Sequence, residues 1–113
     1  MNGRRVAVTG LGMVSPLGLN VEDTWRNIVA GKSGVAPIEK FDVSAYSTQF
    51  SASVQDFDAT LYMAAKDARK MDVFVQFGMA AGIQAMEDSG FEVTDNNAGR
   101  VGCAIGSGIG GIG

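Results

Sequence analysis

The length, composition and charge of the chain exclude several classes of function. Its 113 residues fit one small domain, and the 46% hydrophobic content is ordinary for a globular protein. A net charge of -3 leaves no broad basic surface to neutralise phosphates, which argues against nucleic-acid binding. The single cysteine allows no internal disulfide and fits a reducing compartment. No apolar run approaches the roughly 18 residues that a membrane span needs, so we expect a cytoplasmic protein.

The first half of the chain predicts a strand, a helix and an edge strand, in that order. Residues 5–11 are rich in β-branched side chains and stop at glycines, which indicates a buried strand. Asn20 is a good helix N-cap, and apolar side chains then recur at helical spacing until Gly31 ends the helix. The stretch 32–46 contains turn formers and is predicted to be irregular, whereas 49–54 alternates weakly and predicts an edge strand.

The second half predicts two consecutive helices. Asp58 or Thr60 caps the first, which runs to about Met71. Asp72 caps the second, which runs to the residue before Gly90, where a C′ glycine belongs.

The second of these helices is expected to be buried on most of its sides. Between Val73 and Met86 only Gln76 and Gln84 are polar. Small residues three and four apart also form a stripe that lets another backbone approach closely, and they are Gly78, Ala81, Gly82 and Ala85.

Two glycine-rich loops raise the question of a nucleotide cofactor. The loop 10–18 follows a strand and precedes a helix, but the third glycine of the dinucleotide-binding pattern is replaced by Ser15, and Pro16 follows. A tight structural turn is therefore favoured. The loop 106–111 lacks the consecutive lysine and serine or threonine that end a phosphate-binding loop. We expect no cofactor.

Cys103, the single cysteine of the chain, is a candidate nucleophile. It alternates with Val101 and Ile105 on one face of a predicted strand, which indicates a packed thiol. The chain contains no histidine to generate a thiolate, and we expect neither catalysis by Cys103 nor a metal site.

A dense basic cluster is formed by Lys66, Arg69 and Lys70. Their spacing of i, i+3 and i+4 places them on one face of the predicted helix. One interpretation is a solvent-exposed face whose net positive charge is reduced by Asp67, and the residues alone favour it. The other is a docking surface for an acidic partner.

Four motifs together resemble a known enzyme family. They are Arg-Arg-Val-Ala-Val-Thr-Gly-Leu-Gly-Met-Val-Ser-Pro-Leu-Gly at 4–18, Ala-Gly-Lys-Ser-Gly at 30–34, Arg-Lys-Met-Asp at 69–72 and Ile-Gly-Ser-Gly-Ile-Gly-Gly at 105–111. The chain resembles the opening of the β-ketoacyl-acyl carrier protein synthases, in particular the bacterial elongating group called synthase II, over essentially its whole length. The resemblance implies an α/β, partial thiolase-like fold, which is the N-terminal part of an α-β-α-β-α layered condensing enzyme that is usually a homodimer.

The resemblance also implies an acyltransferase activity in fatty acid biosynthesis. An acyl group passes from a carrier-protein thioester to a cysteine, and malonyl-carrier protein is then decarboxylated to a carbanion that lengthens the acyl group. The family performs this decarboxylating Claisen condensation with one cysteine and two histidines. These residues are expected beyond residue 113, so residues 1–113 are interpreted as the N-terminal portion of the synthase domain, truncated before its catalytic residues and inactive alone.

The resemblance assigns roles to two groups of residues in this chain. Lys66, Arg69 and Lys70 match basic residues that contact the acidic acyl carrier protein, and Ile109 matches a residue that lines the acyl pocket. Alternatives within the fold are a polyketide ketosynthase or its non-catalytic chain-length partner. An alternative of another class is a non-catalytic carrier-protein-binding module.

Overall fold

The computed structural model describes residues 3–112 and divides the chain into two compact units. One unit is Met13–Asp58, and the other joins the residues up to Gly12 to those from Ala59 onward. The helices are α1 (Val21–Val29), α2 (Ala65–Ala68) and α3 (Val73–Ser89), and the strands are β1 (Val35–Pro37) and β2 (Phe50–Ala52). Single 3₁₀ turns occur at Ala59–Leu61 and Ala98–Arg100.

Helix α1 has the predicted ends. The Asn20 side-chain oxygen accepts a hydrogen bond from the backbone N–H of Asp23 at 2.8 Å, which satisfies one of the free donors of the first turn. Gly31 follows the C-cap with φ +67°, a left-handed conformation that favours glycine. The apolar face of α1 is less covered than the spacing indicates, since Trp25 is 64% exposed and Thr24 is the residue of α1 that is buried.

The strands β1 and β2 form a short antiparallel sheet. Val35 pairs with Ala52, and Pro37 pairs with Phe50. The edge strand predicted within 49–54 is therefore present over three residues. The prediction that all of 32–46 is irregular was wrong, because β1 lies there. A proline, which cannot donate to a ladder, is tolerated at the end of such an edge strand.

The strands predicted over 5–11 and around Cys103 do not form. Among residues 3–112 the only sheet is that of β1 and β2, and Val6 is 90% exposed. A strand is stabilised by backbone hydrogen bonds to a neighbouring strand, and the described residues provide none for either segment. Leu11 N–H instead donates to the Asp88 carboxylate at 2.9 Å. The apolar, β-branched residues of these segments favour strands, but a strand forms only where a neighbouring strand pairs with it.

The helix predicted from about 58 to Met71 is interrupted. It begins as the 3₁₀ turn Ala59–Leu61, and α2 starts only after Ala64, whose ψ of 139° is extended. Helix α3 has the predicted bounds, and Gly90 adopts φ +61° after it. Asp72 occupies the N-cap position of α3, as predicted, but within the described chain its side chain makes no cap hydrogen bond with the helix.

Backbone lies directly against the small residues of α3. A Cβ added to Gly12 would lie 1.8 Å from the Ala81 carbonyl oxygen, and one added to Gly10 would lie 2.1 Å from the Ala85 carbonyl oxygen. The expectation that the small-residue stripe admits another backbone is therefore confirmed.

The remaining surface of α3 is less buried than its composition indicates. Ala80 is fully buried, but Val73 is 56% and Met86 is 41% exposed in the structure of residues 3–112. None of the helices described there is both long and apolar enough to cross a membrane.

Candidate functional site

Lys66, Arg69 and Lys70 lie on and just after α2, and we call them the basic turn. All three side chains are exposed, whereas Ala68 between them is buried. The backbone continues to turn beyond α2, because Lys70 N–H donates to the Asp67 carbonyl at 3.0 Å. The structure thus brings the three predicted residues together, although on a shorter helix than the sequence indicates.

The basic turn presents its charge to solvent. Within residues 3–112 none of its three cations makes an ion pair, and the neighbouring Asp67 is exposed and unpaired as well. Arg69 Nε donates to the Ala65 carbonyl at 3.2 Å, which places a cation at the negative end of the short helix. Among the described residues, no ion pair would therefore have to break before an anion approached the cluster.

Two glutamines of α3 hold the region around the basic turn. Gln76 Nε2 donates to the carbonyls of Ala68 at 2.9 Å and of Met71 at 3.1 Å, which satisfies acceptors at the end of the turn. Gln84 Nε2 donates to Tyr62 Oη at 2.9 Å. No role for these two glutamines was predicted from the sequence. The available signal was their position as the two polar residues in an otherwise apolar stretch.

Residues 106–111 form a loop at whose tip Ile109 projects, and we call it the glycine loop. Ile109 is 80% exposed and therefore fills no core among residues 3–112. Gly110 N–H donates to Ser107 Oγ at 3.0 Å, and Gly110 adopts φ +81°, which closes the loop around Ile109. The assignment of Ile109 to an acyl pocket stays a prediction.

The glycine loop lies against the first turn of α3. A Cβ added to Gly110 would lie 3.4 Å from the Phe74 ring, and one added to Gly111 would lie 2.2 Å from Asp72 Oδ2. Asp72 directly follows the segment that carries the basic turn. The start of α3 therefore lies between the basic turn and the glycine loop that carries Ile109. This proximity was not predicted from the sequence.

Cys103 is exposed, so the prediction of a packed thiol was wrong. It lies along an open apolar groove beside α3, with a volume of about 730 Å³, whose lining includes Met79, Met86, Val101 and Ile105. The described residues contain no cluster of three or more side chains suited to hold a metal ion.

The glycine-rich segment before α1 forms a tight turn, as predicted. Ser15 N–H donates to the Gly18 carbonyl at 2.8 Å, and Gly18 N–H donates back to the Ser15 carbonyl at 3.2 Å. Ser15 Oγ lies 2.9 Å from Thr24 Oγ1, and Leu17 N–H donates to the same Ser15 oxygen. These groups are thus committed to internal hydrogen bonds. They hold the turn against α1.

Two relatives of the same name are similar to this chain over nearly its whole length. A protein of Vibrio harveyi named 3-oxoacyl-acyl-carrier-protein synthase 2 is 59% identical over 112 residues, which are 99% of this chain and 27% of that protein. A protein of the same name from Coxiella burnetii is 58% identical over the same shares of the two chains. The chain thus spans about a quarter of the length of these relatives.

A solved structure and a family model point to the same relationship. The structure titled the ishigamide ketosynthase/chain length factor matches with a TM-score of 0.64 and 30% identity, over 75% of this chain and 21% of that one. The model of the β-ketoacyl synthase N-terminal domain matches residues 3–112. The chain therefore belongs to the β-ketoacyl synthase family, within the N-terminal domain of these proteins.

Proposed function

We propose that this chain is the N-terminal part of a 3-oxoacyl-acyl-carrier-protein synthase 2 that elongates fatty acids in the cytoplasm. The observation that carries the proposal is the 58–59% identity to synthases of this name over 99% of the chain. The complete protein is a homodimer with α-β-α-β-α layers, and residues 1–113 are one portion of its synthase domain.

The reaction is a decarboxylating Claisen condensation. The acyl group is transferred from its carrier-protein thioester to a cysteine, which forms a new thioester and frees the carrier thiol. Malonyl-carrier protein loses carbon dioxide, and the resulting carbanion attacks the acyl-cysteine carbonyl and releases the cysteine. The product is a 3-oxoacyl-carrier protein two carbons longer. We place the nucleophilic cysteine and two histidines in the remaining three quarters of the complete protein.

The role proposed for the basic turn is to dock the acidic acyl carrier protein. Its three cations are exposed and make no ion pair within the described residues, and Gln76 fixes the backbone at the end of the turn. A fixed cluster of like charges steers an oppositely charged protein to one place and one orientation.

The role proposed for Ile109 is to form part of the acyl-pocket wall. Its side chain projects from a loop in which its chain neighbours Gly108 and Gly110 have no side chains. An exposed apolar side chain with no crowding Cβ atoms beside it is suited to contact an acyl tail.

The proposal is tested with the complete protein, acyl-carrier protein and malonyl-carrier protein. Carbon dioxide release should depend on both substrates and should equal the amount of 3-oxoacyl product. Carbon dioxide release that does not require the acyl substrate, without a lengthened product, would contradict the elongation function.

The second candidate is a polyketide ketosynthase or a chain-length partner without catalysis. The match to the ishigamide ketosynthase/chain length factor structure favours it. A chain-length partner would release no carbon dioxide by itself and would become part of an active enzyme only after addition of a separate ketosynthase subunit. A protein that condenses fatty acyl substrates alone would exclude that partner role.

A further inference from the structure

Asp72 stands between the basic turn and the glycine loop. Its carboxylate makes no cap hydrogen bond with α3 among the described residues. Instead it occupies the space beside Gly111, where an added Cβ would lie 2.2 Å from Asp72 Oδ2 and 2.7 Å from its Cγ. Real Cβ atoms essentially never lie this close to another atom, so the Asp72 carboxylate would have to shift to admit any larger residue at position 111.

The same segment is bound to the basic turn on its other side. Gln76 Nε2 donates to the carbonyls of Ala68 and Met71, and Met71 N–H donates to the Ala68 carbonyl at 3.2 Å. These hydrogen bonds connect the end of the basic turn to Met71, the residue before Asp72. Asp72 in turn lies against Gly111, which is two residues from Ile109 on the same loop.

We infer that Asp72 is a positioning residue that couples occupation of the basic turn by carrier protein to the placement of Ile109 in the acyl pocket. The inference rests on the proposed function and deepens it. Asp72 makes no contact with the reacting atoms in this account. Its carboxylate acts as a spacer that sets where the glycine loop lies when an acidic protein occupies the basic turn.

A matched pair of glycine substitutions isolates this contact. Gly111→Ala brings the added methyl group against the Asp72 carboxylate, which must shift, whereas a Cβ on Gly102 meets nothing within 4 Å in the described part of the chain. Neither glycine adopts a left-handed φ, so alanine is compatible with both backbones. The two variants therefore add the same methyl group with and without a close contact, and Gly102 lies outside the glycine loop.

The experiment measures kcat/KM and KM in the complete protein for short and long acyl groups, each on carrier protein and on a small thioester. Gly111→Ala should change the ratio of long-chain to short-chain kcat/KM by about fivefold or more and should raise KM for carrier-borne substrates by a similar factor. KM for small thioesters should change less than about twofold. Gly102→Ala should resemble the wild type in every measurement.

A double substitution provides the rescue. Asp72→Ala in the Gly111→Ala background removes the carboxylate that the new methyl group meets. In the double variant, the ratio of long-chain to short-chain kcat/KM should return to within about twofold of the ratio in Asp72→Ala alone, because the two changes act through one contact. The melting temperature should recover in the same double variant.

The outcomes separate the inference from the proposed function. An inactive wild-type protein overturns the proposed function and this inference with it. An active wild type in which Gly111→Ala loses the same factor with carrier-borne and small substrates overturns the coupling alone. If Gly111→Ala does not fold and Asp72→Ala does not rescue it, the contact itself is refuted.

Discussion

Reversing the charge of Arg69 is the most informative single change in the basic turn. The three cations are exposed and unpaired within residues 3–112, so a carrier protein would meet them as a cluster of like charge. Arg69→Glu would remove one attraction and place a carboxylate among the remaining two cations. We expect weaker docking, measured as a higher KM for carrier-protein substrates.

The magnitude follows from the exposure of the site. An exposed ion pair contributes about 0.2–1 kcal/mol, and reversal replaces this attraction by a repulsion of similar size. Docking should therefore weaken by about 0.4–2 kcal/mol, which corresponds to about 2–30-fold in KM. The Debye length falls from about 8 Å at 0.15 M salt to about 3 Å at 1 M, so the wild-type KM should rise with salt more steeply than that of the variant.

The assay compares carrier-protein substrates with small acyl thioesters in the complete protein. Small thioesters bypass docking and should keep their KM. Arg100→Glu is the matched control, because Arg100 is an exposed cation at the end of another helical turn and its reversal changes net charge equally. Arg69→Glu also removes the bond from Arg69 Nε to the Ala65 carbonyl, so the melting temperature is measured beside the kinetics. Equal losses with both substrate types would refute the docking role.

Three further predictions concern the acyl pocket, the isolated chain and the packing of α3. Ile109→Phe in the complete protein should lower kcat/KM for long acyl groups by about tenfold and spare short ones, because overpacking costs about 1–3 kcal/mol; a uniform loss with a lower melting temperature would place Ile109 in a core. The isolated 113-residue chain should show no single-turnover condensation and no sharp cooperative melt, since α3 exposes Val73 and Met86; a monomer with a sharp melt would contradict this. Gly12→Ala should lower the denaturation midpoint of the complete protein, because its Cβ would lie 1.8 Å from the Ala81 carbonyl oxygen, whereas Gly3→Ala meets nothing within 4 Å among the described residues and should not.

Local signals predicted the helices with well-defined ends. Asn20 and Gly31 bound α1 because a capping side chain and a left-handed glycine act within one turn of the helix. Gly90 marks the end of α3 for the same reason. These features depend on neighbours in sequence, so they can be read without knowledge of the rest of the fold.

Structural features that depend on residues distant in the sequence were harder to predict from the sequence. The strand predicted at 5–11 needs a neighbouring strand, and residues 3–112 provide none. Cys103 was predicted to be packed from the alternation of a strand that does not form. Ala64 has an extended conformation that interrupts the helix predicted to run to Met71. Alanine favours helices, so the residue type does not indicate this interruption.

The sequence predicted which basic residues lie together, but it did not predict the contact that joins their segment to the glycine loop. The spacing of Lys66, Arg69 and Lys70 predicted one cationic surface, and the structure brings them together. The contact of Asp72 with Gly111 joins residues that are far apart in sequence, and it appears only once α3 and the glycine loop are folded.

The most direct test of the central claim is the mass of the carrier-bound product after a single turnover. The complete protein is loaded with an acyl group from carrier protein and is then mixed with malonyl-carrier protein. We expect a 3-oxoacyl-carrier protein lengthened by two carbons, with one carbon dioxide released for each product. Malonyl-carrier protein that remains unchanged while the protein holds its acyl group would contradict the claim that this chain is part of a condensing enzyme.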